Sequence, residues 1–179
     1  MKDILRYLGV KTPDERTIRL IDEEKKTAEN IIPSDTYACF DAVIAENGVF
    51  LGGTDVLLAG NLAKKHFNRS KKIIVVLATL GLQSEWALKR AFALNAANAV
   101  VLDAVFTDKL EKYLDKKEEE FRSVYGNVTT RISCGYGDLP LATQRQLFDL
   151  VDGGRLGVRM NDCYMLTPNK SVIAIVGVE

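Results

Sequence analysis

The sequence has 179 residues, 47% of them hydrophobic, which suits one globular domain and argues against a disordered chain. Twenty-four Lys and Arg balance 24 Asp and Glu, so the chain lacks the basic surplus typical of nucleic-acid binding. A single histidine and three scattered cysteines exclude a His-rich metal cluster, a serine triad and a disulfide framework. No apolar run is long enough to span a membrane, and the charged N-terminus lacks a signal-peptide core, so we expect a cytoplasmic protein.

The first part of the chain predicts a helix followed by a hairpin. Thr12 is the expected N-cap of the helix, and Glu15 completes a capping box three residues later. Two apolar runs follow, at 37–45 and 49–51. The dipeptide Asn47-Gly48 joins them and is a strong signal for a tight turn between two antiparallel strands.

The middle of the chain predicts a second helix, one strand and a long helical region. The second helix is expected to begin at residue 54 or 55 and to end near 67. The apolar run after it predicts a buried strand at 72–78. Helical spacing then extends over 85–122, with a junction between two helices at 95–98. A further strand is expected at 127–134, with successive side chains on alternate faces.

The last part predicts a turn at 135–140, a short helix at 142–151 and a closing set of strands. The three expected strands lie at 156–160, 164–166 and 171–178. Hairpins at both ends and helices clustered between them favour an α+β fold with an antiparallel or mixed sheet. We expect one domain over residues 1–179, since no linker or repeat interrupts the sequence.

The sharpest local pattern is an arginine on a strand directly before a Gly-Tyr-Gly turn, Arg131 followed by Gly135, Tyr136 and Gly137. A guanidinium presents a planar fork that suits a carboxylate, and an aromatic face attracts a cation. S-adenosylmethionine has a carboxylate, a sulfonium cation and a flat adenine, and would need such groups. On spacing alone, an ordinary turn beside a surface arginine is the commoner explanation.

The pattern Arg131-x-x-x-Gly135-Tyr136 resembles the Arg-x-x-x-Gly-Tyr signature of the activation, or reactivation, domain of cobalamin-dependent methionine synthase. The similarity is strong from Arg131 to Val178. The similar segments in this stretch are Asp138-Leu139-Pro140, the helix 144–151, Arg155-Leu156-Gly157-Val158, 163–166, Pro168 and Lys170-Ser171-Val172. Upstream, 75–81 and the helix through Tyr113-Leu114 resemble separately encoded versions of the domain.

In this family the domain binds S-adenosylmethionine, whose methyl group passes to cobalamin that has reached the inactive Co(II) state. One electron comes from a flavodoxin-type or similar donor. The resemblance implies a subunit that supports reductive methylation of a cobalamin-dependent methyltransferase, such as methionine synthase in methionine biosynthesis. A cobalamin-binding domain or corrinoid protein would supply the cobalamin, because no Asp-x-His-x-x-Gly motif is present. The electron would come from a separate donor, because flavin and iron–sulfur motifs are also absent.

The resemblance also assigns roles to individual residues. It implies that Arg131 holds the methionine carboxylate and that Gly135, Tyr136 and Gly137 form the wall between cofactor and corrin. The acidic residue that supports the site from the preceding helix falls on Asp108, which is otherwise an ordinary solvated helix charge. None of these residues is assigned as catalytic or as a metal ligand.

Two departures from the family keep other functions open. Gly137 stands where the family has proline, which predicts a looser turn. The acidic residue that receives the amino group of S-adenosylmethionine has only Asp35 and Asp41 as candidates. The chain is alternatively an S-adenosylmethionine-responsive regulatory module that does no chemistry, or an interaction subunit with a degenerate site.

Three other features have modest interpretations. The basic stretch 64–72 is either a solvated surface or a docking patch for an acidic electron donor such as a flavodoxin. Within it, His66 has no recognisable partner in the sequence. Cys134 is expected to fill space in a strand, because no neighbouring base can be named to activate it.

Overall fold

The computed structural model describes every residue from Met1 to Glu179. The six helices are α1 (Lys2–Tyr7), α2 (Glu15–Glu29), α3 (Asn61–His66), α4 (Gly81–Leu94), α5 (Ala96–Tyr125) and α6 (Thr143–Leu150). The seven strands are β1 (Ser34–Ala45), β2 (Gly48–Leu51), β3 (Leu57–Ala59), β4 (Lys72–Thr79), β5 (Arg159–Met160), β6 (Leu166–Thr167) and β7 (Ser171–Val178). None of the helices combines the length and apolarity that crossing a bilayer requires.

Five strands form one antiparallel sheet in the order β3-β2-β1-β4-β7, and β5 pairs with β6 separately. The predicted hairpin is confirmed, since Ala45 of β1 lies opposite Gly48 of β2. The predicted strand at 127–134 is reduced to two isolated bridges against β7, at Val128 and Ile132. The α+β class expected from the sequence is confirmed.

The sheet separates two hydrophobic cores. Helices α1, α2, α4 and α5 cover one face, and α3, α6 and the β5–β6 hairpin cover the other. Strand β4 lies in the centre and contributes to both cores, with Ile74 and Val76 on the α5 side and Ile73 and Val75 on the α3 side. Because both faces of this strand are buried, neither face carries polar side chains. Residues 73–78 therefore form a continuous apolar run in the sequence.

Two predicted helix starts are wrong. Helix α2 is capped by Asp14 rather than Thr12, because the Asp14 carboxylate accepts a hydrogen bond from the Thr17 amide at 2.8 Å. The helix expected from residue 54 begins only at Asn61. The Thr54 hydroxyl donates to the Leu51 carbonyl and accepts from the Val56 amide, which closes a turn and lets 57–59 pair with β2.

The helical region of 85–122 is confirmed as two helices with a junction at Asn95. The Asn95 side chain accepts a hydrogen bond from the Ala97 amide at 2.9 Å and so caps α5. At 30 residues α5 is the longest element of the molecule. It crosses one face of the sheet and ends at Tyr125, with Gly126 as its C-cap, shortly before the chain turns back toward Arg131.

Candidate functional site

Arg131 lies in the segment that forms isolated bridges to β7. Its side chain reaches α5, where it contacts three carboxylates. Its Nη2 donates to Glu111 Oε2 at 2.6 Å, and its Nη1 donates to Asp115 Oδ1 at 2.8 Å and to Glu118 Oε1. The three acidic residues are spaced by four and three positions and therefore share one stripe of the helix. This stripe, Glu111, Asp115 and Glu118, is called the acidic stripe below.

The acidic stripe holds the guanidinium without using all of its hydrogen-bonding capacity. Only 21% of the Arg131 side chain is exposed. Burial by itself lowers the pKa of Arg131, but the hydrogen bonds to the three carboxylates raise it above its usual range. A guanidinium has five N–H donors, and three protein hydrogen bonds engage it here. The two remaining N–H groups, on Nε and Nη2, have no hydrogen-bond partner within the chain.

Arg131 and the acidic stripe line an open cleft of about 550 Å³. Its apolar floor comes from Ile132 and from Val172 and Ala174 of β7. Tyr136 lies at the rim with 64% of its surface exposed. One guanidinium against three carboxylates gives the lining a formal charge of minus two, so the cleft favours a ligand that carries positive charge.

The Gly-Tyr-Gly turn depends on glycine at both ends. Gly135 has φ +89° and Gly137 has φ +54°, conformations that L residues with side chains rarely adopt. A proline is fixed near φ −65° and cannot occupy position 137 without a new backbone path. The Gly135 amide donates to the Leu139 carbonyl at 2.9 Å and closes the turn. Glycine at position 137 is therefore required by the backbone path that this turn takes.

The turn is joined to α3, on the face of the sheet opposite α5, by Asp138. Its carboxylate accepts hydrogen bonds from the first two amides of α3, Asn61 at 2.6 Å and Leu62 at 2.9 Å, which lower the pKa of Asp138. Gly60 makes this approach possible, since a Cβ there would lie 2.7 Å from Asp138 Oδ1. Sequence reasoning singled out the tripeptide 138–140 only as part of a resemblance and missed this contact, which joins residues 77 positions apart.

Asp108 does not contact Arg131 in this structure. It is 7% exposed and accepts a hydrogen bond from Lys112 Nζ at 2.7 Å, one turn along α5. It shares a small hollow of about 230 Å³ with Arg131 and α1, so the two residues lie near one another without pairing. The acidic residues that hold Arg131 are those of the acidic stripe, none of which was predicted from the sequence as a partner of Arg131.

The other acidic candidates lie elsewhere. Asp35 of β1 accepts a hydrogen bond from the Tyr113 hydroxyl and lies 3.4 Å from Lys117 Nζ. Asp41 pairs with Lys72 at 2.7 Å. Neither lines the cleft at Arg131.

Two residues near the cleft have structural roles. His66 Nε2 lies 2.7 Å from the carbonyl oxygen of Thr130, the residue before Arg131, and this contact supplies the partner that the sequence did not reveal. Cys134 is buried, and burial raises the pKa of its thiol to about 12. A thiol with that pKa is protonated at neutral pH, which agrees with a space-filling role.

No protein-family model matches the sequence, and no curated protein does. Among solved structures, a crystal structure of the MetH reactivation domain bound to AdoHcy matches with a TM-score of 0.73. The match covers 97% of this chain and 68% of that chain, at 15% sequence identity. The resemblance inferred from the sequence is thus confirmed at the level of the fold: this chain is built like the MetH reactivation domain.

Proposed function

We propose that the chain binds S-adenosylmethionine in the cleft at Arg131 and supports reductive methylation of cobalamin held by a partner protein. The observation that carries this proposal is the cleft itself, an arginine with two uncommitted N–H groups between an acidic stripe and a glycine-rich turn. The fold adds support, because the solved structure that shares it is bound to AdoHcy.

The charges of the cleft agree with this ligand. At neutral pH S-adenosylmethionine carries a carboxylate, an ammonium and a sulfonium, a net charge of plus one. The free N–H groups of Arg131 suit the carboxylate. The ammonium has a neighbour in the half-exposed carboxylate of Glu111. The sulfonium suits the Tyr136 ring, since cations are attracted to aromatic faces.

One observation favours a second candidate. Arg131 is already held by three carboxylates, an arrangement that also serves as a structural ion-pair network with no ligand. An interaction subunit with a degenerate site would retain this network. Ligand binding separates the two candidates, and methyl transfer then separates a working reactivation subunit from a purely regulatory module.

We expect Tyr136 to act through its ring more than through its hydroxyl. The residue is largely exposed at the rim, and the hydroxyl makes no hydrogen bond within the chain. Tyr136→Phe should keep most of the affinity for S-adenosylmethionine, whereas Tyr136→Ala should lose about 1–2 kcal/mol, roughly fivefold to thirtyfold. Titration calorimetry measures both. If Tyr136→Phe loses as much as Tyr136→Ala, the hydroxyl and not the ring makes the contact.

The decisive experiment follows methyl transfer. We expect this protein, with S-adenosylmethionine and a chemical reductant, to convert little free Co(II) cobalamin to methylcobalamin. Adding a corrinoid protein from the same organism should start the conversion, because the chain offers no histidine motif to hold cobalamin. Loss of the Co(II) absorption band reports the reaction while each component is omitted in turn.

Each outcome of that experiment has a distinct meaning. Full methylation without the corrinoid protein would show that this chain binds cobalamin itself. No methylation with all components present, while S-adenosylmethionine still binds, would support the regulatory module. Absence of binding would support the interaction subunit.

A further inference from the structure

A second cleft, of about 430 Å³, lies between the last turn of α2 and α5, on a face of α5 different from the acidic stripe. Four of its ten lining residues are lysines: Lys25, Lys109, Lys112 and Lys116. The acidic residues of the lining are Glu29 and Asp108, so its formal charge is plus two. Ala28, Pro33 and Val105 give the cleft an apolar floor.

Two of the four ammonium groups have no carboxylate within ion-pair distance. Lys25 pairs with Asp22 at 3.1 Å, and Lys112 pairs with Asp108 at 2.7 Å. Lys109 instead donates to backbone carbonyl oxygens at the end of α2, those of Ala28 and of Glu29 at 3.3 Å. Lys116 has neither an ion pair nor a hydrogen bond within the chain.

Two other partly buried lysines of the chain have carboxylate partners. Lys117 lies 2.7 Å from Glu120, and Lys170 lies 2.9 Å from Asp103. Burial lowers the pKa of Lys109, because its surroundings disfavour the charged form. An anion in the cleft would remove this cost and the mutual repulsion of the lysines.

We propose that the lysine cleft binds a small organic phosphate. Phosphate groups carry enough charge to meet two or more ammonium groups, and lysine is a common phosphate-binding residue. The floor of Ala28, Pro33 and Val105 provides apolar contact for the organic part of such a ligand. The lysine cleft and the cleft at Arg131 have no lining residue in common, so the ligand proposed here would contact different residues from those proposed to bind S-adenosylmethionine.

Titration of the whole protein with inorganic pyrophosphate, followed by amide NMR shifts, tests this site. We expect the amides of Lys109, Lys116 and the last turn of α2 to shift with a dissociation constant of about 1 mM or tighter. Lys116→Glu should weaken binding about tenfold, since an attractive contact becomes a repulsive one. Lys116 is exposed, so its substitution is expected to leave the fold intact. The matched control is Lys65→Glu, the same charge reversal at an exposed lysine of α3 outside the cleft.

The site is supported if the amide shifts are confined to the cleft and if Lys116→Glu lowers the affinity for pyrophosphate. Lys65→Glu should leave that affinity unchanged. Absence of shifts in the cleft, or equal losses in both variants, would overturn it. If a hexaglutamate peptide binds the cleft and pyrophosphate does not, the partner is an acidic protein segment and the phosphate proposal is wrong. Binding of S-adenosylmethionine should be unchanged in Lys116→Glu, so failure here is distinguishable from failure of the cleft at Arg131.

Discussion

Arg131→Ala is expected to weaken S-adenosylmethionine binding about tenfold to a hundredfold. A hydrogen bond to a charged group contributes about 1.5–3 kcal/mol, which corresponds to that range of affinity. The alanine variant loses the guanidinium that we propose to bind the ligand carboxylate, and it leaves the acidic stripe without its counter-charge. Titration calorimetry of the wild type and the variant measures the difference.

Two further variants make the result for Arg131 interpretable. Arg131→Lys keeps the positive charge without the planar fork, so it should restore only part of the affinity. Arg122→Ala removes an exposed arginine from the last turn of α5 and should leave binding unchanged. Circular dichroism checks that each variant is folded. Equal affinity of the wild type and Arg131→Ala would show that Arg131 does not contribute to binding. Absence of binding by the wild type at millimolar S-adenosylmethionine would contradict the proposed ligand.

Phe106→Ala is expected to lower the free energy of unfolding by about 3–5 kcal/mol, because it removes a large buried ring and leaves a cavity. Phe106 is fully buried on the inner side of α5, in the core between that helix and the sheet. Losses of this size are a large fraction of the stability of a single domain. Urea unfolding with linear extrapolation measures the change.

Phe92→Ala is the matched control for the core substitution. Phe92 belongs to α4 and is 55% exposed, so the same truncation should change the free energy of unfolding by less than about 0.5 kcal/mol. A loss at Phe92 as large as the expected loss at Phe106 would mean that Phe92 is more buried than described. A small loss at Phe106 would mean that α5 does not pack on the sheet as described.

The parts of the fold that the sequence predicts well are those with short-range or strongly periodic signals. The continuous apolar run at 73–78 predicts the central strand, because a strand covered on both faces must be apolar throughout. Asn47-Gly48 predicts the hairpin through local turn chemistry. Asn95 marks the junction of α4 and α5 because its side chain caps the second helix.

Short-range and periodic signals in the sequence do not identify the partners of Arg131. Periodicity shows that Glu111 and Asp115 share a polar face of a helix, but it does not say that a strand arginine lies against that face. Asp138 and the amides of α3 likewise meet only because the sheet brings distant segments together. Asp108, the residue that the resemblance indicated, lies about one turn before Glu111 on α5. There it accepts a hydrogen bond from Lys112. A single sequence fixes neither the rotation of α5 nor the partner of each charge.

The two charged stripes of α5 have a consequence for how the molecule meets a partner. The acidic stripe and the lysines at 109, 112 and 116 lie on different faces of one helix, while the formal net charge of the protein is zero. The helix therefore carries a dipole moment perpendicular to its axis, although the molecule has no formal net charge. A dipole of this kind exerts a torque on an approaching charged surface, and salt confines its reach to about 8 Å at physiological ionic strength. We therefore expect α5 to favour one orientation of a charged partner in the last step of an encounter.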